Sequence, residues 1–123
     1  MKRAILLVDH GSRRPEANAL LEHVAEMVTQ RAPGAIVRWA HMELAKPDIA
    51  RGIADCVAAG AHEIVVHPYF LGPGSHTTDD IPRLVRAAAA SHPAVSIRIS
   101  EALGMHPKLV DVILDRVDGA KDC

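Results

Sequence analysis

The sequence predicts an α/β domain built on a four-stranded parallel sheet in the order 2-1-3-4, with helices on both faces. Three observations predict it. Apolar runs that suit strands alternate four times with stretches of helical period across the 123 residues. Two of those runs, at residues 4–8 (AILLV) and 64–66 (IVV), are continuously apolar, as central strands covered on both sides are. The other two, AIVRWAHM and VSIRIS, mix polar with apolar positions and suit the sheet edges. With the continuous strands in the centre and right-handed crossovers, the order is 2-1-3-4, and the chain reverses direction between strands one and three. Their following loops diverge there and open a crevice at the carboxyl edge, where open α/β sheets bind ligands.

Each element has its own justification. The first strand runs into the loop DHGSRRPEAN, residues 9–18. Pro15 suits a first helical turn, and Ala17, Leu20, Leu21, Val24 and Val28 share one helical face that Pro33 and Gly34 bring to an end. Arg38 marks the second strand as less protected than the first. Pro47 opens a second helix with Ile49, Ile53 and Val57 on its apolar face and Gly60 as its stop. The third strand breaks at Pro68 into a loop through Gly72, Pro73 and Gly74. The helix after it is expected to start near Asp79 and Asp80, whose carboxylates suit the positive end of a helix dipole. It buries Ile81, Leu84, Val85 and Ala88 and ends at His92 and Pro93. Val95, Ile97 and Ile99 alternate with Ser96, Arg98 and Ser100 in a half-exposed fourth strand. Leu109, Val110, Ile113, Leu114 and Val117 define the face that the last helix is expected to bury, with Gly119 beyond it.

Composition narrows the function classes. A chain of 123 residues makes one domain, spanning 1–123, that buries about two-thirds of its unfolded surface and needs no staples. Fourteen basic and 15 acidic residues give a net charge of −1, so no overall field attracts nucleic acid or an anionic membrane. An aromatic content of 2% excludes a base-stacking surface. Cys56 and Cys123 have neither metal-type spacing nor a disulfide framework, which places the protein in a reducing compartment, the cytoplasm. The basic start MKRAILLVDHG has too short an apolar run for a secretory signal, and no segment approaches a membrane span.

The loops concentrate imidazoles and charge. His10 opens the first loop, His76 sits at the far end of the third, and HMELAKP brings His41, Glu43 and Lys46 to the same rim. Imidazole nitrogen and carboxylate oxygen suit a borderline divalent first-row metal, and three protein ligands leave positions open for exchange. The spacing is not a local metal motif, so plainer roles compete. His10 as a cap on its own loop, Glu43 as a solvated rim charge and the glycines as an ordinary turn are three of them. His67 is assigned to packing beneath the loop, and His41 to the same side as Glu43, one layer lower. His23, His62 and His92 suit helix surfaces or turns. Arg13, Arg14 and Lys46 are either solvated charges or a rim that holds a polyanion.

Four colinear segments, LLVDHGSRRPEAN, MELAKP, FLGPGSHTTDDIP and LGMHP, resemble the short form of the CbiX/SirB family of tetrapyrrole chelatases across nearly the whole chain. The resemblance implies a single chelatase-like lobe that inserts cobalt or ferrous iron, with nickel used by related archaeal proteins, into sirohydrochlorin in cobalamin or sirohaem biosynthesis. It implies that His10 and His76 bind the incoming metal with Glu43 as third participant, the metal being a substrate and no redox cofactor being required. Arg13, Arg14 and Lys46, with Ser12 and Ser75, are then expected to grip the carboxylates of the macrocycle. The chain departs from the family at His67, Pro68, Tyr69 and Phe70, where relatives commonly carry an aliphatic run. One lobe is narrow for a macrocycle with eight carboxylate arms, so a symmetric homodimer is expected to complete the cleft. Two other classes stand beside this one. His10 can serve as a phosphoryl-transfer nucleophile with Arg13 and Arg14 on phosphate, and the lobe can act as a non-catalytic metal or tetrapyrrole carrier.

Overall fold

A computed structural model describes residues 2–72 and 75–123, with the side chains of 75–78 left outside that description. The chain runs β1 (Arg3–Asp9), α1 (Pro15–Arg31), β2 (Ile36–His41), α2 (Ile49–Ala58), β3 (Glu63–Pro68), α3 (Ser75–Ala89), β4 (Ser96–Ile99) and α4 (Pro107–Asp118). The strands are parallel in the order β2-β1-β3-β4, as the hydrophobic pattern predicts.

Alternation along the central strands sorts side chains onto two faces. Ala4, Leu6 and Val8 of β1 point one way with Ile64 and Val66 of β3, and meet Ile49, Ile53 and Cys56 of α2 and Ile81 and Val85 of α3. Leu7 of β1 and Val37 of β2 point the other way and meet Leu21 and Ala25 of α1. Leu6, Leu21, Ile53, Ile64 and Ile81 are fully buried, and each such side chain stabilises the fold by roughly 1.5–3 kcal/mol relative to exposure. Burial pushes the Cys56 thiol up to about 11, which leaves it an inert core group. Gly52 lets α2 lie close to the sheet, since a Cβ there would sit 2.9 Å from Leu6 Cδ1 and 3.0 Å from Ala40 Cβ.

Three expectations are corrected. Leu20 is 64% exposed, because the face of α1 that meets the sheet is centred on Leu21 and Ala25, a turn position away. Helix α3 begins at Ser75, so Asp79 and Asp80 lie in its second turn and His76 lies in its first. The largest correction concerns α4, where Val110, Ile113, Leu114 and Val117 are all more than half exposed and no residue is buried. On β4 the positions alternating with Ile97 are Ser96 and Arg98, and Arg98 is paired with Glu63 of β3.

Candidate functional site

The site is assembled by two strands that continue to pair after they stop being strands. Asp9 and His41 are register partners at the carboxyl ends of β1 and β2. Beyond them the Met42 N–H donates to Asp9 O (2.8 Å) and the Glu43 N–H to His10 O (3.1 Å). The first and second loops therefore run side by side for two further residues, and His10 Nε2 comes to 3.4 Å from Glu43 Oε1. Both side chains are about half exposed, open to a ligand.

Gly11 makes this approach possible. Its φ is +91°, and a Cβ there would lie 1.8 Å from Glu43 O, so any other residue would drive the two loops apart. The first loop is further tied by Asn18, whose Oδ1 accepts from the Ser12 N–H (2.9 Å) and whose Nδ2 donates to Ser12 O (2.8 Å). The Ser12 hydroxyl accepts from the Arg14 N–H (3.0 Å). Arg14 is the N-cap position of α1 and Pro15 its first residue, so the loop delivers Arg13 and Arg14 to the surface directly above the helix. Among the described residues, Arg13, Arg14 and Lys46 take part in no ion pair, which leaves their charge available to an anion.

Beneath His10 and Glu43 lies a polar pair. His41 is 2% exposed, and its Nδ1 is 2.5 Å from Asp9 Oδ1. It is a buried support for the strand ends, not a third imidazole lining the opening. The His41 N–H donates to Pro47 O (2.8 Å), which closes residues 42–47 into a compact excursion pinned at its base. Asp48 then caps α2 by accepting from the Arg51 N–H (2.8 Å).

His67, at the end of β3, is half-buried, and its Nδ1 lies 2.8 Å from Ser100 Oγ. Ser100 donates its one hydroxyl proton to Glu101 O (2.9 Å), so the His67 nitrogen is the donor in that contact. Burial lowers the His67 pKa below its ordinary value, against the opposing effect of the Glu101 backbone. Pro73, Gly74 and the side chains of Ser75 and His76, two of the predicted site residues, lie outside the described residues. Among the described residues no three metal-donor side chains cluster, and the pair on the page is His10 with Glu43. Sequence reasoning passed over Asp9, Asn18 and Leu44. Asp9 pairs through its carboxylate with buried His41 and Asn18 ties the first loop through the Ser12 backbone, contacts that no spacing reveals, and Leu44 is conspicuous only by its φ of +69°.

The fold is a parallel α/β lobe that brings an imidazole and a carboxylate together on adjacent carboxyl-edge loops, the same loops that carry Arg13, Arg14 and Lys46. The sequence profile of the CbiX family matches residues 4–120, and the chain belongs to that family. A chloroplastic sirohydrochlorin ferrochelatase of Arabidopsis thaliana is 45% identical over 92% of this chain and 50% of that protein. This chain thus spans about half the length of that relative. A sirohydrochlorin cobaltochelatase of Methanocaldococcus jannaschii is 34% identical and is matched over 94% of this chain and 98% of its own. The crystal structure of the sirohydrochlorin chelatase SirB from Bacillus subtilis subspecies spizizenii, in complex with cobalt, superposes with a TM-score of 0.88 at 30% identity. That match covers 97% of this chain and 51% of SirB.

Proposed function

We propose that this protein inserts a divalent metal, cobalt or ferrous iron, into sirohydrochlorin on a route to cobalamin or sirohaem. The observation that carries this is the His10–Glu43 pair, held at 3.4 Å by loops that only Gly11 lets touch. His10 and Glu43 receive the metal ion together with His76, which the chain places in the first turn of α3. The set is a mixed nitrogen and oxygen one without thiolate, suited to passing a metal on and not to keeping it. Insertion also removes two pyrrole protons. A neutral imidazole can accept a proton, and the exposed Glu43 carboxylate offers it a route to solvent. Arg13, Arg14 and Lys46 hold the ring carboxylates, with Ser12 and Ser75 alongside, so that the macrocycle lies over the metal.

The working form is a homodimer. Two observations support it: the uncovered apolar face of α4, and a SirB chain about twice as long as this one, which leaves room for a second lobe. Cys56 and Cys123 are both free thiols, which supports a reducing cytoplasmic setting. The test is an anaerobic absorbance titration of the purified protein with sirohydrochlorin and Co²⁺, Fe²⁺ or Ni²⁺ in turn, against the uncatalysed rate. Acceleration with cobalt or iron is expected. No acceleration with any metal overturns the proposal, and phosphate release from a generic phosphomonoester would replace it with phosphoryl transfer.

A further inference from the structure

Leu44 is an anomaly on two counts. Its φ of +69° puts a branched apolar residue in the left-handed region, a strain that glycine would not incur. Its side chain is also 56% exposed, so the strain is not offset by burial in the core. A position chosen for stability would carry Gly or Asn. The strain is held in place from three sides. His41 and Pro47 close the excursion at its base, the Glu43 N–H is bonded to His10 O, and Glu43 O sits against Gly11. Leu44 follows the proposed metal ligand Glu43 directly and precedes the proposed carboxylate-holding Lys46 by two residues. Other exposed apolar side chains at this edge, Leu71 and Met105, border the groove against α4 with Leu109, Val110 and Ile113. Leu44 does not line that groove.

We infer that Leu44 is a substrate-contacting residue whose apolar side chain seats the face of a planar tetrapyrrole between the metal and the cationic rim. The inference rests on the crevice reading above. A macrocycle of this class offers a flat, weakly polar ring surrounded by carboxylates. A site for it needs a metal-facing group, a cationic rim and, between them, something apolar against which the ring can exclude water. Glu43, Lys46 and Leu44 supply these three within four consecutive residues. Backbone strain kept at a ligand site is a known cost of presenting a side chain in a fixed place.

The test uses Leu44→Asn and Leu44→Gly, which relieve the backbone, and Leu44→Met, which keeps an apolar side chain. Leu44→Asn and Leu44→Gly are expected to melt at or above the temperature of the parent and to bind Co²⁺ as the parent does. Their KM and fluorescence-quenching Kd for the tetrapyrrole rise about tenfold, while Leu44→Met stays within about threefold of the parent. A merely structural Leu44 would leave KM unmoved when the strain is released. Parent-like tetrapyrrole binding by Leu44→Asn overturns the inference while the crevice reading stands. A parent protein that binds no tetrapyrrole overturns both.

Discussion

At the scale of single residues, the site depends on contacts that tolerate little change. His10→Ala and Glu43→Ala each remove one of the proposed metal donors, so cobalt affinity and insertion rate are expected to fall by more than the ~10–100-fold typical of outer-shell losses. The double variant is expected to cost little beyond the worse single one, since a broken site cannot be broken twice. Titration calorimetry with Co²⁺ and insertion kinetics check both statements, with His67→Ala as a folded control that keeps most of its rate. Gly11→Ala acts without touching any donor. Its Cβ would strike Glu43 O, so the loops must separate, and the variant is expected to lose stability by about 1–3 kcal/mol together with metal affinity. Chemical denaturation and the same calorimetry read the two losses. His67 brings a pH dependence whose sign follows from its lowered folded-state pKa. The unfolded chain takes up the proton first as pH falls below the ordinary value of 6.5, so the stability this residue contributes is complete above 6.5 and is lost on acidification toward the folded pKa. Melting temperature is therefore expected to drop more steeply below pH 6.5 in the parent than in His67→Asn. Equal slopes would mean that the burial of His67 carries no such effect.

At the scale of elements, α4 separates pattern from packing. The helical period of Leu109, Val110, Ile113, Leu114 and Val117 was legible in the sequence, and the helix exists where that period places it. What covers its apolar face was not legible, because period gives the direction of a side chain along its own helix and says nothing of the surface opposite. Here Val110, Ile113, Leu114 and Val117 stay more than half exposed. The same limit explains Leu20, whose spacing from Val24 and Val28 is helical but whose stripe lies beside the sheet contact. If the α4 face is the subunit boundary, Ile113→Asp is expected to turn a dimer into a monomer at micromolar concentration while leaving the far-ultraviolet circular dichroism unchanged. Sedimentation velocity decides it, and a parent that already sediments as a monomer and still turns over would show that one lobe suffices.

At the scale of the whole molecule, a net charge of −1 supplies no long-range field for the proposed polyanionic substrate, so its attraction is expected to be local. Arg13→Ala and Arg14→Ala are expected to raise the tetrapyrrole KM several-fold at low salt, with a smaller effect as ionic strength rises, and to leave cobalt affinity near that of the parent. A parallel loss of metal binding would point to a disturbed α1 start instead, since Arg14 is its N-cap position. The order β2-β1-β3-β4 was determined by the sequence itself, through continuous apolar runs in β1 and β3 and mixed ones in β2 and β4, because burial on both faces leaves no room for polar side chains. That order in turn put His10 and Glu43 on neighbouring loops. Tertiary structure alone decided that they meet, through backbone pairing carried two residues past the strand ends and a glycine with no Cβ at the crossing. It alone also decided that His41 is buried against Asp9 and that Leu44 is strained. These features depend on distances between segments more than 30 residues apart, or on a backbone angle, and neither has any counterpart in residue type or period.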